Sequence, residues 1–292
     1  MSKLGDVDVY VSKPADYPHS PSKLLLLLTG GTGVKSTNNQ LQADKFAQEG
    51  FLVLMPDQYT HPPFPCTQML TKTSRFDGEP APNTAPEPTA ASDLPLIEKI
   101  KLGLIDTVKS FTIDMWLARH TPEKVLPILY KVLDAAKEEF ADAIANGGGI
   151  YAAGYCFGAK YALLLAGEDP GKGLWTAGEE GATPGQEEEG KVRKGPFIKA
   201  GVIAHGTQVT PDDIGGVKVP MSIICVEDDP LFPDEIRKAG EDMLAKSGVQ
   251  HEVKVYPGVP HGFAVLGDYA EAKIKEAQQQ AFAEMLGWLQ AH

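Results

Sequence analysis

The sequence predicts one α/β domain spanning residues 1–292, with a mostly parallel central sheet covered by helices on both faces. Three observations carry this reading. Runs such as Leu24-Leu25-Leu26-Leu27-Leu28 and Phe51-Leu52-Val53-Leu54-Met55 are continuously apolar and strand-length, the pattern of strands buried on both faces. These runs alternate along the chain with segments of helical spacing. The segments that follow several of them are short and rich in Gly, Pro and acidic residues, as expected of loops at the ends of sheet strands.

Taken in order, Asp6 to Val11 alternates in character and suits an edge strand, and Pro14, Pro18 and Pro21 mark a turn-rich crossing. Lys23 to Thr29 is a buried strand opening into Gly30-Gly31-Thr32-Gly33. Asn38 to Glu49 reads as a helix offering Leu41, Ala43 and Phe46 to the core, ended by Gly50. Phe51 to Met55 is the next strand, closed by Pro56-Asp57. Residues 56–95 are proline-rich, and a loop of that length is expected to act as a wall or lid over the sheet's C-terminal edge.

Ile97 to Arg119 has helical spacing and carries Phe111, Met115 and Trp116. Thr121 and Pro122 are placed as N-cap and first helical residue of the next helix. That helix aligns Val125, Leu129, Val132, Ala136 and Phe140 on one face and stops at Asn146-Gly147-Gly148. Gly149 to Tyr155 is a buried strand, followed by a helix from Ala159. Residues 167–196 are acidic and Gly-rich, the composition of a surface insertion. Lys199 to His205 and Val219 to Val226 are strands, Pro233 to Ser247 a helix, Glu252 to Tyr256 the last strand and Tyr269 to Gln290 the last helix.

The totals narrow the function class. The chain has 27 Lys and Arg against 39 Asp and Glu, a net charge of −12, which argues against nucleic acid or an anionic membrane as partner. The N-terminus carries no apolar signal core, and the longest apolar run is far too short to span a bilayer. Three widely spaced cysteines, Cys66, Cys156 and Cys225, show no metal-type pairing, so no metal site or cofactor is expected and a reduced, cytoplasmic setting is.

Three segments carry the chemistry, each after a strand at the C-terminal edge of the sheet, where sites form in such folds. Gly154-Tyr155-Cys156-Phe157-Gly158 has the form of a nucleophile elbow with cysteine at its centre. The sharp turn strains the central residue and requires small neighbours, while amides at the following helix N-terminus favour a thiolate. Glu227-Asp228-Asp229-Pro230 follows a later strand and offers an acid, and Pro257-Gly258-Val259-Pro260-His261 follows the last strand and offers a base. Nucleophile, acid and histidine thus come in the chain order of the α/β-hydrolase arrangement. The loop Thr29-Gly30-Gly31-Thr32-Gly33 lacks the Lys-Ser/Thr ending of a phosphate loop and reads as an oxyanion loop, with the amides of Gly31 and Phe157 as donors.

Together with Pro260-His261-Gly262-Phe263-Ala264, Asp229-Pro230-Leu231-Phe232-Pro233 and Asn38-Asn39-Gln40, these segments resemble the dienelactone hydrolase family, in its fungal or eukaryotic branch. The resemblance implies an α/β-hydrolase fold and a triad of Cys156, Asp229 and His261, choosing Asp229 over Asp228. Bacterial members of the family hold the resting thiol against a glutamate where this chain has Gly30. They also bind the substrate carboxylate through an arginine where it has Val265. Arg119, His120 and Lys160 are the cations available to stand in for that arginine.

Tyr59, Trp116, His205, Phe232 and Phe263 are the candidate substrate-binding residues, His205 foremost because it ends a strand at this edge. The expected function is cleavage of a small ester, lactone or thioester through a cysteine acyl-enzyme, by a monomer or homodimer. The alternatives are a broad-range carboxylesterase or acyl transferase, and a catalytically silent scaffold that binds a small ligand.

Overall fold

In a computed structural model of the chain, the structure describes residues 1–59, 116, 119–170 and 193–292. The proline-rich stretch from 60 to 95, the predicted helix before Trp116 and most of the acidic insertion lie outside those residues.

Among the described residues, eight strands form one sheet: β1 Ser2–Leu4, β2 Val7–Ser12, β3 Lys23–Leu28, β4 Phe51–Pro56, β5 Ile150–Tyr155, β6 Ala200–Ala204, β7 Met221–Val226 and β8 His251–Tyr256. Their spatial order is β1-β2-β4-β3-β5-β6-β7-β8. β1 and β2 form an antiparallel hairpin, β2 pairs antiparallel with β4, and β3 to β8 run parallel. The predicted single edge strand is therefore a hairpin, with Gly5 and Asp6 at positive φ in its two-residue turn.

The continuous apolar runs are explained by two cores, one on each side of the sheet. Along β3, Leu24, Leu26 and Leu28 face one core while Leu25 and Leu27 face the other. Along β5, Ile150 and Ala152 are divided from Tyr151, Ala153 and Tyr155 in the same way. Two-residue periodicity sends alternate side chains to opposite faces, so a strand covered on both sides must be apolar at every position.

Two helices, α1 Thr37–Gln48 and α7 Ala272–Ala291, supply one core through Ala43, Phe46, Ile274, Ala281, Met285 and Leu289. The other core receives α2 Pro122–Glu139, α3 Ala141–Gly147, α4 Phe157–Ala166, α5 Pro211–Gly215 and α6 Asp234–Ser247. Three elements differ from the sequence reading. Leu41 is 45% exposed, because α1 buries Asn39 and Gln42 instead, whose amides bond to neighbouring loops. The helix expected to run to Gly147 breaks at Phe140, whose φ of −123° is not helical, and α3 then ends in a left-handed Gly148. The short helix α5, opened by a capping box between Thr210 and Asp213, had no apolar periodicity to announce it.

The order of strands decides where a site forms. After β3 the chain moves outward to β4, then returns across β3 to β5 on its other side. At that reversal the loops after β3 and β5 diverge to opposite faces and leave a crevice between them. Leu28, last in β3, pairs with Gly154, so the Thr29–Gly33 loop lies beside the turn at Cys156.

Candidate active site

Cys156 sits at the turn between β5 and α4 with φ 51° and ψ −116°, a strained conformation for a residue with a side chain. The two glycines flanking it are required by close approach. A Cβ on Gly154 would lie 2.7 Å from the Gly158 carbonyl oxygen, and one on Gly158 would lie 2.2 Å from that of Leu28. The Gly-x-Cys-x-Gly spacing thus lets the helix, the strand and the Thr29–Gly33 loop close around one sulfur.

His261 and Asp229 arrive from the loops after β8 and β7. His261 Nδ1 is 2.7 Å from Asp229 Oδ2. Asp229 is 3% exposed, and its other carboxylate oxygen accepts the backbone N–H of Leu231 at 2.9 Å. With Nδ1–H donated to the carboxylate, Nε2 faces away as the basic nitrogen. The histidine loop is held from α7 by Gln278, whose side-chain amide donates to the carbonyls of Phe263 at 3.1 Å and Val265 at 2.7 Å.

Burial disfavours the charged imidazole, but hydrogen bonds and charge from Asp229 and Cys156 outweigh it and raise the His261 pKa to about 9. For Cys156, burial pushes the thiol up. Hydrogen bonding and charge from His261, the Thr207 hydroxyl and the Phe157 backbone amide pull it down, and the net shift is downward. The two shifts describe one coupled pair that favours thiolate beside imidazolium.

The loop after β3 is pinned from two sides. Asn39 donates to the Gly33 carbonyl at 2.7 Å and to Thr32 Oγ1 at 3.0 Å, and Gln40 donates to the Val34 carbonyl at 3.1 Å. From the segment after β4, Gln58 donates to the Thr29 carbonyl at 3.1 Å, and the Tyr59 hydroxyl lies within hydrogen-bond reach of the Thr29 and Gly30 carbonyls. The Gly33 amide also donates to the Gly30 carbonyl at 3.1 Å. In a trans peptide the N–H opposes the C=O, so holding the Gly30 carbonyl fixes the direction of the Gly31 N–H. A Cβ on Gly30 would come within 3.0 Å of Cys156 Cβ, so this position is crowded by Cys156 itself.

The five candidate pocket residues are all buried. Tyr59 and Trp116 pack with His120 and Phe157, with ring centroids 5.1 Å apart for Tyr59 and Trp116 and 4.1 Å for Trp116 and His120. Phe232 lies in the core on the α4 side and Phe263 in the core on the α7 side. His205 is fully buried behind His261, with ring centroids 4.9 Å apart, and neither of its ring nitrogens has a hydrogen-bond partner among the described residues. Burial, and then the neighbouring His261 charge, depress its pKa well below the usual histidine range, so it stays neutral beside the imidazolium.

Of the three cations, Lys160 is committed to Asp213 Oδ2 at 2.8 Å, His120 is buried in the aromatic cluster and Arg119 is exposed. Sequence reasoning missed Thr207, two residues past His205, whose Oγ1 lies 3.2 Å from Cys156 Sγ and 3.4 Å from His261 Nε2. A strand ending beside the elbow strand was the available signal, but only the fold of the following loop turns that hydroxyl onto the sulfur.

Comparisons of sequence and of fold relate this chain to known proteins. The model of the dienelactone hydrolase family matches residues 7–173 and 191–292. The hydrolase pyvD of Aspergillus violaceofuscus is 28% identical over 288 residues, which cover 99% of this chain and 88% of that protein. The hydrolase tropI of Talaromyces stipitatus is 27% identical over 290 residues, with the same coverage of 99% and 88%. Among solved structures, a Klebsiella pneumoniae protein provisionally assigned as a dienelactone hydrolase superimposes with a TM-score of 0.60 at 15% identity, covering 98% of this chain and 99% of that one. The propionate-bound esterase Est2 of Thermogutta terrifontis does so with a TM-score of 0.57 at 13% identity, covering 98% and 93%. At these identities the likeness to the two structures is one of fold. Among the described residues, no helix is long and apolar enough to cross a membrane and no cluster of side chains is arranged to hold a metal ion.

Proposed function

We propose, for a chain that belongs to the dienelactone hydrolase family and is a hydrolase, that it cleaves a small ester, lactone or thioester through an acyl-enzyme on Cys156. The observation that carries this reading is the convergence of a depressed thiol with a histidine whose far nitrogen is locked to a buried carboxylate. The esterase activity named for the fold neighbour from Thermogutta terrifontis is consistent with it.

The chemistry follows from the arrangement. His261 takes the thiol proton, and the Cys156 thiolate attacks the acyl carbon. The amide of Phe157, at the N-terminus of α4, and that of Gly31 stabilise the negative charge that develops on the acyl oxygen, by a few kcal/mol in systems of this type. His261 then gives its proton to the leaving group. In the second half it draws a proton from water, which releases the acid and restores the thiol. Asp229 fixes the tautomer of His261 and stabilises the imidazolium.

The test is a panel of aryl esters, lactones and thioesters turned over by wild type and Cys156→Ala, with intact-mass analysis of the quenched enzyme. The expected result is a burst of product and an acyl adduct on the peptide that holds Cys156. The alanine variant should lose about 10³-fold or more of the activity. Undiminished turnover by Cys156→Ala would overturn the reading.

A further inference from the structure

We propose that the Thr207 hydroxyl is a bridge that holds the resting Cys156 sulfur and conducts its proton to His261. The inference rests on the acyl-enzyme reading for its purpose and on geometry for its content.

Thr207 Oγ1 is within hydrogen-bond reach of both reacting atoms, 3.2 Å from Cys156 Sγ and 3.4 Å from His261 Nε2. A hydroxyl has one proton to give and lone pairs to receive one, so it can satisfy both neighbours in either charge state. With the pair neutral, the thiol S–H donates to Oγ1 and the hydroxyl O–H donates to Nε2. Transfer breaks the S–H bond as a new Oγ1–H bond forms, while the original Oγ1–H proton passes to Nε2. The electron pair remains on sulfur, and Thr207 ends as it began, a neutral hydroxyl. With the pair ionised, Nε2–H donates to Oγ1 and the hydroxyl donates to the thiolate. No group is left unpaired in either state, which matters at a site this buried.

The backbone around Thr207 is built for fixed placement. His205 and Gln208, on either side of the Gly206-Thr207 pair, both adopt left-handed conformations with φ of 38° and 58°, unfavourable for residues with side chains. The Thr207 amide donates to the Cys156 carbonyl at 3.1 Å, tying the loop to the nucleophile's own residue. From α4, Lys160 donates to the Gln208 carbonyl at 3.0 Å and pairs with Asp213, which also closes the capping box with Thr210. The strain is thereby held by contacts on both flanks, and the hydroxyl has little freedom to leave the sulfur. Among the described residues, the other groups that act on the thiol are His261 itself, which also interacts with the sulfur directly, and the Phe157 amide from α4, while the Tyr59 hydroxyl is spent on the Thr29 and Gly30 carbonyls. Asp229 and neutral His205 stand behind His261. Thr207 is the one side chain among the described residues placed within hydrogen-bond distance of both Cys156 Sγ and His261 Nε2.

The experiment compares wild type, Thr207→Val, which is nearly isosteric, and Thr207→Ser, which restores the hydroxyl. The readouts are the rate of iodoacetamide alkylation of Cys156 against pH and the pH profile of kcat/KM. Loss of a charge-assisted hydrogen bond predicts that the acid limb of both profiles in Thr207→Val moves up by about one pH unit, with alkylation near neutral pH about tenfold slower. Thr207→Ser should return to the wild-type profile. Coincident profiles for valine and wild type would overturn the bridge, as would a serine variant that shifts as far as valine, since packing and not the hydroxyl would then be at work. Thr207→Ala removes the same hydroxyl and gives the same reading if the valine variant fails to fold. Alkylation reports on the thiol whether or not an ester is turned over, so an enzyme inert to every ester would sink the acyl-enzyme reading without deciding this one.

Discussion

Cys156 and Cys225 are the same residue in two regions of one sheet, and they differ in almost every respect that matters to sulfur chemistry. Cys225 lies inside β7, fully buried, and burial pushes its thiol up to about 12. Cys156 is also largely shielded from water, yet its pKa is lowered, because it stands past the end of its strand, where a helix N-terminus, His261 and Thr207 meet. Burial alone therefore does not make a thiol inert. What separates them is whether charge and hydrogen-bond donors converge on the sulfur to offset the desolvation.

The largest expected effect breaks this contrast by removing the charge. His261→Ala leaves burial unopposed by the imidazolium, so the midpoint of Cys156 alkylation should move up in pH, and ester turnover should fall by about 10³- to 10⁴-fold. The sign is set by the shifts: in wild type the reactive ion pair is lost as pH falls through the lowered thiol pKa, and again as pH rises through about 9, where His261 deprotonates. A bell-shaped kcat/KM profile checks both limbs, and the alanine variant should lose the alkaline limb that His261 sets.

Comparable in size, peptide mapping after brief alkylation of the native protein near pH 8 should find Cys156 modified more than about 10³-fold faster than Cys225, from the difference in thiolate fraction alone. Equal labelling would mean that the two environments are not distinct. A smaller loss is expected from Tyr59→Phe, which removes one of the two donors on the Gly30 carbonyl and loosens the direction of the Gly31 amide. A loss of kcat of about tenfold with KM little changed would place the effect on the transition state. The smallest effect belongs to Cys225→Ala, which should leave kcat/KM unchanged and lower unfolding free energy by about 1–2 kcal/mol in a denaturant titration, as a buried sulfur is replaced by a small void.

Much of this was legible in the primary structure because it depends on local chemistry. Continuous apolar runs such as Leu24 to Leu28 announced a sheet covered on both faces, and the structure divides those leucines between two cores. The glycines around Cys156 announced a crowded turn, and the backbone atoms that a Cβ at Gly154 or Gly158 would strike give the reason. Where the reading failed, the cause was non-local. Leu41 fits an apolar helix face, but α1 rotates to bury Asn39 and Gln42, whose amides are needed by loops at Gly33 and Leu266. The break at Phe140 has no proline or glycine to mark it, and the apolar pattern runs through it unbroken.

The candidate site divides along the same line. The residue types and the chain order of Cys156, Asp229 and His261 are properties of the sequence, because an elbow, an acid loop and a histidine loop each have a local signature. Distances between them are not. The order of strands, with its reversal between β3 and β5, brings the Thr29–Gly33 loop against the sulfur, and no segment of sequence encodes that adjacency by itself. Tyr59 entered as a pocket aromatic, and its hydroxyl on the Gly30 carbonyl is a contact that only the fold reveals. Thr207 did not enter at all, since a threonine in a loop carries no signature until left-handed His205 and Gln208 turn its hydroxyl between a thiol and an imidazole. Sequence by itself determined which chemical groups the protein has and which strand ends carry them. Only the tertiary structure decided which of them share a hydrogen bond, because that depends on contacts between residues tens of positions apart in the chain.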